Sequence, residues 1–107
     1  MNSAVPLVCN MDVFTPAQRE AHILATTELI QSIQRVQEIE NGYEFLFAGE
    51  TEYISRIAEF ISNERLCCPF LKFTLTVSSD SEPMTLSLTG PVGTQEFLHI
   101  EFDGAIP

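Results

Sequence analysis

The segment VQEIENGYEFLF, residues 36–47, places Asn-Gly between two short runs in which apolar and polar residues alternate. Asn-Gly is the strongest short signal for a tight β-hairpin, because both residues tolerate positive φ. A two-residue turn at Asn41 and Gly42 predicts the cross-strand pairs Glu40–Tyr43, Glu38–Phe45 and Val36–Phe47. The aromatic residues of the second strand then share one face, which we expect to belong to the core.

Helical patterns lie on both sides of this hairpin. Thr15, Pro16 and Gln18 have the spacing of a helix start with a capping box, and a helical period then continues to about residue 33. A second helical period runs from residue 49 or 51 to residue 66, and Pro69 forbids its continuation. The apolar stripes predict as buried positions Ile23, Ala25, Leu29, Ile30 and Ile33 in the first helix, and Ile54, Ile57, Ala58, Ile61 and Leu66 in the second.

Strand patterns follow the second helix. A period of two predicts strands over residues 71–77 and 84–89, joined by a polar loop at 78–83, and a turn at 90–93 precedes a short helix at 94–99. The order α-β-β-α-β-β-α predicts an α+β fold, a four-stranded antiparallel sheet with helices packed on one face. We expect residues 1–107 to form a single domain, with an irregular N-terminal segment at 1–14 and a loose tail at 102–107.

The composition limits the possible partners. Fifteen acidic residues against five basic ones give a formal net charge of −10. This field repels phosphate backbones and anionic lipid headgroups, so we expect neither nucleic acid nor a membrane as a partner. The sequence has no secretory-signal pattern and no apolar run near the ~20 residues that cross a bilayer. With three cysteines, an odd number, this predicts a cytoplasmic protein with free thiols or a bound metal.

Two of these cysteines, Cys67 and Cys68, are adjacent at the predicted end of the second helix. A disulfide between neighbours would be strained, and the helix dipole disfavours a thiolate at this end, so an activated nucleophile is not indicated. A soft cation reverses this argument because it stabilises thiolate directly. We therefore predict a metal site of Cys9, Cys67 and Cys68 for zinc, copper(I) or mercury(II), with His22 or His99 as candidate fourth ligand.

A resemblance draws attention to the same residues. The segments that carry it are ERLCCPFLKF at 64–73, LSLTGP at 86–91, Gly93 and EFL at 96–98. They resemble a group of small bacterial proteins of unknown function with an E-R-x-C-C-P-F motif. Cys9, Thr15 with Arg19, and Gly42-Tyr43 extend the likeness to most of the chain. The resemblance implies one intact domain, but it implies no reaction, no catalytic residue and no small-molecule ligand.

Other interpretations of the cysteines stay open at this stage. One cysteine can face the core as a small hydrophobe while the other caps a turn. The chain would then be a non-catalytic binding or homodimerising module, in which a second copy covers a sheet edge. The glutamates around the hairpin, Glu38, Glu40 and Glu44, are expected to form a solvated edge rather than an acid–base pair. No motif supports an enzyme.

Overall fold

The computed structural model describes residues 7–79 and 81–107, and within these ranges the chain forms three α-helices and one four-stranded antiparallel sheet. The helices are α1 (Pro16–Gln31), α2 (Thr51–Cys67) and α3 (Thr94–Glu101). The strands are β1 (Arg35–Ile39), β2 (Gly42–Phe47), β3 (Lys72–Thr76) and β4 (Met84–Thr89). The predicted α+β class and element order are confirmed. None of the described helices is both long and apolar enough to cross a membrane.

The sheet has the strand order β1-β2-β4-β3, so the second strand of each hairpin lies at its centre. The two central strands pair antiparallel along their whole lengths. Their core-facing side chains are at most 1% exposed, and they are Phe45, Phe47, Met84, Leu86 and Leu88. The aromatic face predicted for β2 therefore forms the centre of the core.

The first hairpin has a different register from the predicted one. The observed pairs are Ile39–Gly42, Glu38–Tyr43, Gln37–Glu44, Val36–Phe45 and Arg35–Leu46. The turn consequently consists of Glu40 and Asn41, and the three predicted pairs are wrong by two residues along β2. The shift leaves the same side chains on the core face, because side chains alternate along a strand with a period of two.

Asn41 and Gly42 also have different roles from those predicted. Asn41 takes the positive φ of the turn, 56°, whereas Gly42 is the first residue of β2 and is not among the positive-φ glycines. Glycine is required at position 42 for space, since a Cβ there would collide with the carbonyl oxygen of Leu88 on the paired strand β4. The constraint at this position is a close approach of two strands rather than a left-handed backbone.

Helices α1 and α2 pack antiparallel to each other. Gln18 near the start of α1 and Asn63 near the end of α2 line one cavity, and Glu28 and Arg56 line another further along. The capping box predicted for α1 is confirmed. The hydroxyl of Thr15 accepts a hydrogen bond from the Gln18 amide at 3.2 Å, and the Gln18 side chain accepts one from the Thr15 amide at 2.9 Å.

The buried faces of α1 and α2 differ from the apolar stripes that periodicity predicts. In α1 the buried residues are His22 and Leu29, while Ile23 is 53% exposed. The buried residues of α2 are Ile57, Phe60, Glu64 and Cys67, and both Ala58 and Leu66 are exposed. A histidine and a glutamate thus take positions that a hydropathy pattern assigns to apolar residues.

Both terminal segments contribute to the core. In the segment predicted to be irregular, residues 1–6 lie outside the described residues, while Met11–Val13 forms a short 3-10 helix and Phe14 is buried. Asp80, in the predicted loop at 78–83, also lies outside them. The expectation of a loose tail at 102–107 is wrong. Phe102 is 1% exposed and stacks on Phe45, with ring centroids 4.9 Å apart, and Ile106 is buried as well.

The close approach at Gly42 predicts that Gly42→Ala lowers the free energy of unfolding by about 2 kcal/mol, the usual range for overpacking. Asn41→Gly should change it by less than about 1 kcal/mol, because glycine adopts positive φ freely. Urea denaturation of the two variants measures both effects. A loss at position 41 as large as that at position 42 would contradict the assigned register.

The capping box predicts a smaller effect at the start of α1. Thr15→Ala should cost about 1 kcal/mol of unfolding free energy, because the Gln18 amide loses its acceptor. Thr27→Ala, at an exposed position in the same helix, is the matched control and should have little effect because alanine favours the helix. Equal losses of unfolding free energy in the two variants, measured by thermal denaturation, would contradict the assignment of Thr15 as the helix cap.

Candidate metal centre

The end of α2 places three potential ligand side chains together. Glu64, Cys67 and Cys68 are spaced i, i+3 and i+4, so they lie on one side of the helix end. The amide of Cys68 donates to the Glu64 carbonyl at 2.8 Å, and Pro69 follows. Both cysteines are 0% exposed and Glu64 is 1% exposed. This helix end is therefore a buried polar cluster.

A backbone hydrogen bond brings Cys9 to this cluster. The amide of Asn10 donates to the carbonyl of Cys67 at 2.7 Å, which satisfies one of the carbonyls that a helix end leaves without an intrahelical partner. Cys9 then lies beside Cys68, and the two form a disulfide with a Cα–Cα distance of 4.7 Å. Cys67 is the free cysteine and is buried.

The disulfide corrects one expectation and leaves two others intact. Free thiols or a bound metal were expected, but Cys9 and Cys68 are joined by a disulfide across 59 positions of sequence because two distant segments meet here. The adjacent cysteines do not pair with each other, as expected from ring strain. The expected proximity of Cys9 to Cys67 and Cys68 is confirmed.

Four potential donor atoms meet at this point. The sulfur atoms of Cys9, Cys67 and Cys68 and a carboxylate oxygen of Glu64 all lie within 4.8 Å of one another. The Cys67 and Cys68 sulfur atoms are 3.7 Å apart, and each lies 3.5–3.7 Å from a Glu64 oxygen. A tetrahedral site with metal–sulfur bonds of about 2.3 Å separates its ligand atoms by about 3.8 Å. The distances among Cys67, Cys68 and Glu64 match this spacing, whereas the sulfur atoms of Cys9 and Cys68 are bonded to each other and would have to separate before both could bind an ion. The fourth potential donor is thus Glu64 rather than either candidate histidine, His22 or His99.

The two histidines considered as ligands occupy very different places. His22 Nε2 lies 2.8 Å from Glu64 Oε1, and the imidazole packs between the rings of Phe14 and Phe60. This contact fixes the orientation of the Glu64 carboxyl, as a group behind a ligand commonly does in metal sites. His99 is exposed, and its Nε2 lies 3.0 Å from the carbonyl oxygen of Pro107, away from the cluster.

A second carboxyl group and a cavity adjoin the cluster. Glu101, at the end of α3, places Oε2 3.5 Å from the sulfur of Cys9, and its Oε1 is buried without a partner among the described residues. A cavity of about 210 Å³ is lined by Glu64, Glu101, His22 and Met11 together with residues of α1. The cavity therefore reaches two carboxyl groups that also contact the sulfur atoms.

Burial shifts the pKa of each of these groups in the direction that favours its neutral form. Burial, followed by interaction with Glu64, raises the pKa of Glu101 to about 9. The pKa of Glu64 is also raised by burial. Burial and then the charges of Glu64 and Glu101 raise the pKa of Cys67 to about 12, and burial lowers the pKa of His22. A cation bound here would reverse the shifts of the acids, because it stabilises thiolate and carboxylate directly.

Sequence reasoning identified the three cysteines as candidate ligands but not the acidic groups around them. The i, i+3, i+4 spacing of Glu64, Cys67 and Cys68 was the available signal for Glu64. Nothing in the sequence pattern marks Glu101, which approaches from another helix. Comparison of the chain with protein-family models, curated proteins and solved structures found no match in any of the three.

The raised pKa of Glu101 predicts a pH-dependent stability of the metal-free, disulfide-bonded protein. Burial raises the pKa of Glu101 from its ordinary value of 4.5 to about 9 in the folded state, so between these values the folded state binds more protons than the unfolded state. The slope of the unfolding free energy against pH is then negative, and stability falls as pH rises. Urea denaturation at intervals between about pH 7 and about pH 8 measures this slope, above the ordinary titration range of histidine.

Two variants in α3 distinguish the titration of Glu101 from the general effect of removing one negative charge from the helix. Glu101→Gln cannot titrate, so its unfolding free energy should change less with pH than that of the parent. Glu96→Gln, which removes an exposed carboxylate from the same helix, should keep the parental slope. A parental slope in Glu101→Gln would show that Glu101 does not retain its proton on folding.

Proposed function

We propose that this chain is a cytoplasmic soft-metal-binding domain in which the thiol forms of Cys9, Cys67 and Cys68 hold one cation together with Glu64. The observation that carries the proposal is the convergence of three sulfur atoms and one carboxylate oxygen within 4.8 Å. These donors come from two separate segments of the chain, the N-terminal segment and the end of α2. Such convergence is what a single ion requires of its ligands.

The donor set favours a thiophilic ion. Magnesium and calcium are held by oxygen ligands, whereas zinc, copper(I) and mercury(II) accept thiolate readily. Three sulfur donors and one oxygen donor suit zinc in a four-coordinate site, and the sulfur atoms alone suit the softer copper(I) and mercury(II). Zinc, copper(I) and mercury(II) are therefore the candidate bound ions.

The electrostatic environment also supports a cation. Burial suppresses ionisation of Glu64, Glu101 and Cys67, and the charges of the two carboxylates oppose ionisation of the thiol. A bound cation would compensate these charges, and the net charge of −10 draws cations toward the surface. The cavity lined by Glu64, Glu101 and Met11 reaches one of the four donors, Glu64.

The motif behind the bacterial resemblance overlaps with this site. E-R-x-C-C-P-F corresponds here to residues 64–70, which contribute Glu64, Cys67 and Cys68. We propose that chains sharing this motif and a cysteine near position 9 share the site. A reducing cytoplasm is the compartment in which three thiols would be maintained.

A second candidate function is favoured by the disulfide itself. A cross-link between Cys9 and Cys68 closes a loop of 59 positions, and the chain-entropy model gives such a loop about 4 kcal/mol of stabilisation. In that case the cysteines are structural, and the chain is a non-catalytic binding or homodimerising module. The reduced protein would then be much less stable and would hold no metal.

Native mass spectrometry of the reduced protein distinguishes these functions, because it reports both bound metal and the number of chains. We expect one zinc, copper(I) or mercury(II) ion per chain after addition of one equivalent. Cys67→Ser should weaken zinc binding by more than ~100-fold, since loss of a group that merely orients a ligand already costs ~10–100-fold.

Two glutamate variants on α2 provide the matched comparison. Glu64→Gln should weaken zinc binding, because an amide oxygen carries no charge to offer the ion. Glu59→Gln removes an exposed carboxylate from the same helix and should bind zinc as the parent does. If the folded, reduced parent held no more metal than a variant with all three cysteines replaced by serine, the metal-binding function would be wrong.

A further inference from the structure

The disulfide uses two of the four donors in the candidate metal centre. A sulfur atom engaged in a disulfide has no negative charge to give to a metal, because the thiolate is the ligand. With Cys9 and Cys68 joined, Cys67 and Glu64 are the donors left in the cluster. Disulfide formation and metal binding by all three cysteines therefore exclude each other.

The surroundings of the disulfide also fit its reduced form. Cys9 Sγ lies 3.5 Å from Glu101 Oε2, and Cys68 Sγ lies 3.5 Å from Glu64 Oε2. A disulfide sulfur carries no proton, so it cannot donate a hydrogen bond to either oxygen. After reduction each thiol can donate to a carboxylate oxygen that is already in place. The two sulfur atoms must move apart on reduction, and each then has a carboxyl oxygen of Glu101 or Glu64 nearby to accept its proton.

We infer that the Cys9–Cys68 pair is a reversible thiol–disulfide switch that opens the metal centre on reduction and closes it on oxidation. This inference rests on the proposed metal-binding function and adds its regulation. The reductant we invoke belongs to the chemical class of dithiols, and the oxidant that closes the switch is the corresponding disulfide, which accepts the two electrons and two protons of Cys9 and Cys68 by the reverse exchange. The switch would let the domain take up metal under reducing conditions and release it under oxidising ones.

The electron and proton balance of the opening step is simple. A thiolate of the dithiol attacks the sulfur of Cys9, which is partly exposed, and Cys68, which is 0% exposed, is the leaving group. The second thiol of the reductant attacks the mixed disulfide and frees Cys9. The Cys9–Cys68 bond breaks, a disulfide bond forms in the reductant, and its two thiol protons end on Cys9 and Cys68. A metal ion then displaces thiol protons to solvent.

A backbone hydrogen bond explains why Cys9 would stay close to Cys67 and Cys68 after the disulfide is reduced. The hydrogen bond from the Asn10 amide to the Cys67 carbonyl, 2.7 Å long, holds the residue next to Cys9 against the end of α2 independently of the disulfide. On the same segment, Phe14 lies within the core and Met11 packs against it. Cys9 therefore stays beside Cys67 and Cys68 when its covalent link is removed.

The experiment compares zinc binding by the full chain in two redox states. The parent is equilibrated either with dithiothreitol or with an oxidant, the reagents are removed without air, and one equivalent of zinc is added before native mass spectrometry. The mass of the chain reports the disulfide through the loss of two hydrogens. We expect zinc on the reduced chain and at least ~100-fold weaker binding to the oxidised chain, because two ligands are lost.

Cys9→Ser is the matched variant, and circular dichroism checks that it folds. It cannot form the Cys9–Cys68 disulfide, and the adjacent Cys67 and Cys68 are poor partners for each other. Its zinc affinity should therefore be the same in both treatments, though weaker than that of the reduced parent. A variant whose affinity still fell on oxidation would overturn the assignment of the switch to Cys9 and Cys68.

The remaining outcomes separate failure of the switch from failure of the function. Equal zinc binding by the oxidised parent, with its disulfide intact by mass, would overturn the switch while leaving a metal site at Cys67 and Glu64. A disulfide that dithiothreitol reduces solely when the chain unfolds would also overturn it. Absence of zinc from both forms of the folded parent would overturn the metal-binding function and the switch together.

Discussion

The Glu64 carboxyl group, 1% exposed at the end of α2, is the constraint around which this end of the molecule is built. A buried carboxyl is costly unless its neighbours satisfy it. The Nε2 atom of His22 in α1 lies 2.8 Å from Oε1 of Glu64. The sulfur atom of Cys67 lies 3.7 Å from the same oxygen, and that of Cys68 lies 3.5 Å from Oε2. The packing of α1 on α2 and the position of the cysteines are therefore coupled through one side chain.

The same constraint connects the ends of the chain to the site. Asn10 satisfies the Cys67 carbonyl and brings Cys9 alongside, while Glu101 approaches from the last helix. An apolar residue at position 64 would avoid the desolvation cost, and replacing buried charged groups by apolar ones often stabilises a protein. The clustering of Glu64, Cys67 and Glu101 therefore costs stability in the metal-free protein, and a bound cation would offset that cost.

The sequence predicted the elements of the fold well because local signals determine them. Thr15 with Gln18 starts α1, Pro69 stops α2, and alternation defines the strands. The register of the first hairpin was wrong because Gly42 is required by contact with β4, which no local pattern reveals. The cysteines were found as a candidate site from composition and adjacency. The roles of Glu101 and His22, and the pairing of Cys9 with Cys68, depend on tertiary contacts and could not be predicted.

X-ray absorption spectroscopy of the zinc-loaded, reduced protein tests whether three sulfur atoms and Glu64 share one soft ion. The account predicts a first coordination shell of three sulfur atoms at about 2.3 Å and one oxygen atom at about 2.0–2.2 Å. Loss of one sulfur from that shell in Cys9→Ser would assign the third sulfur to Cys9. A zinc shell made of nitrogen and oxygen atoms alone would contradict the account.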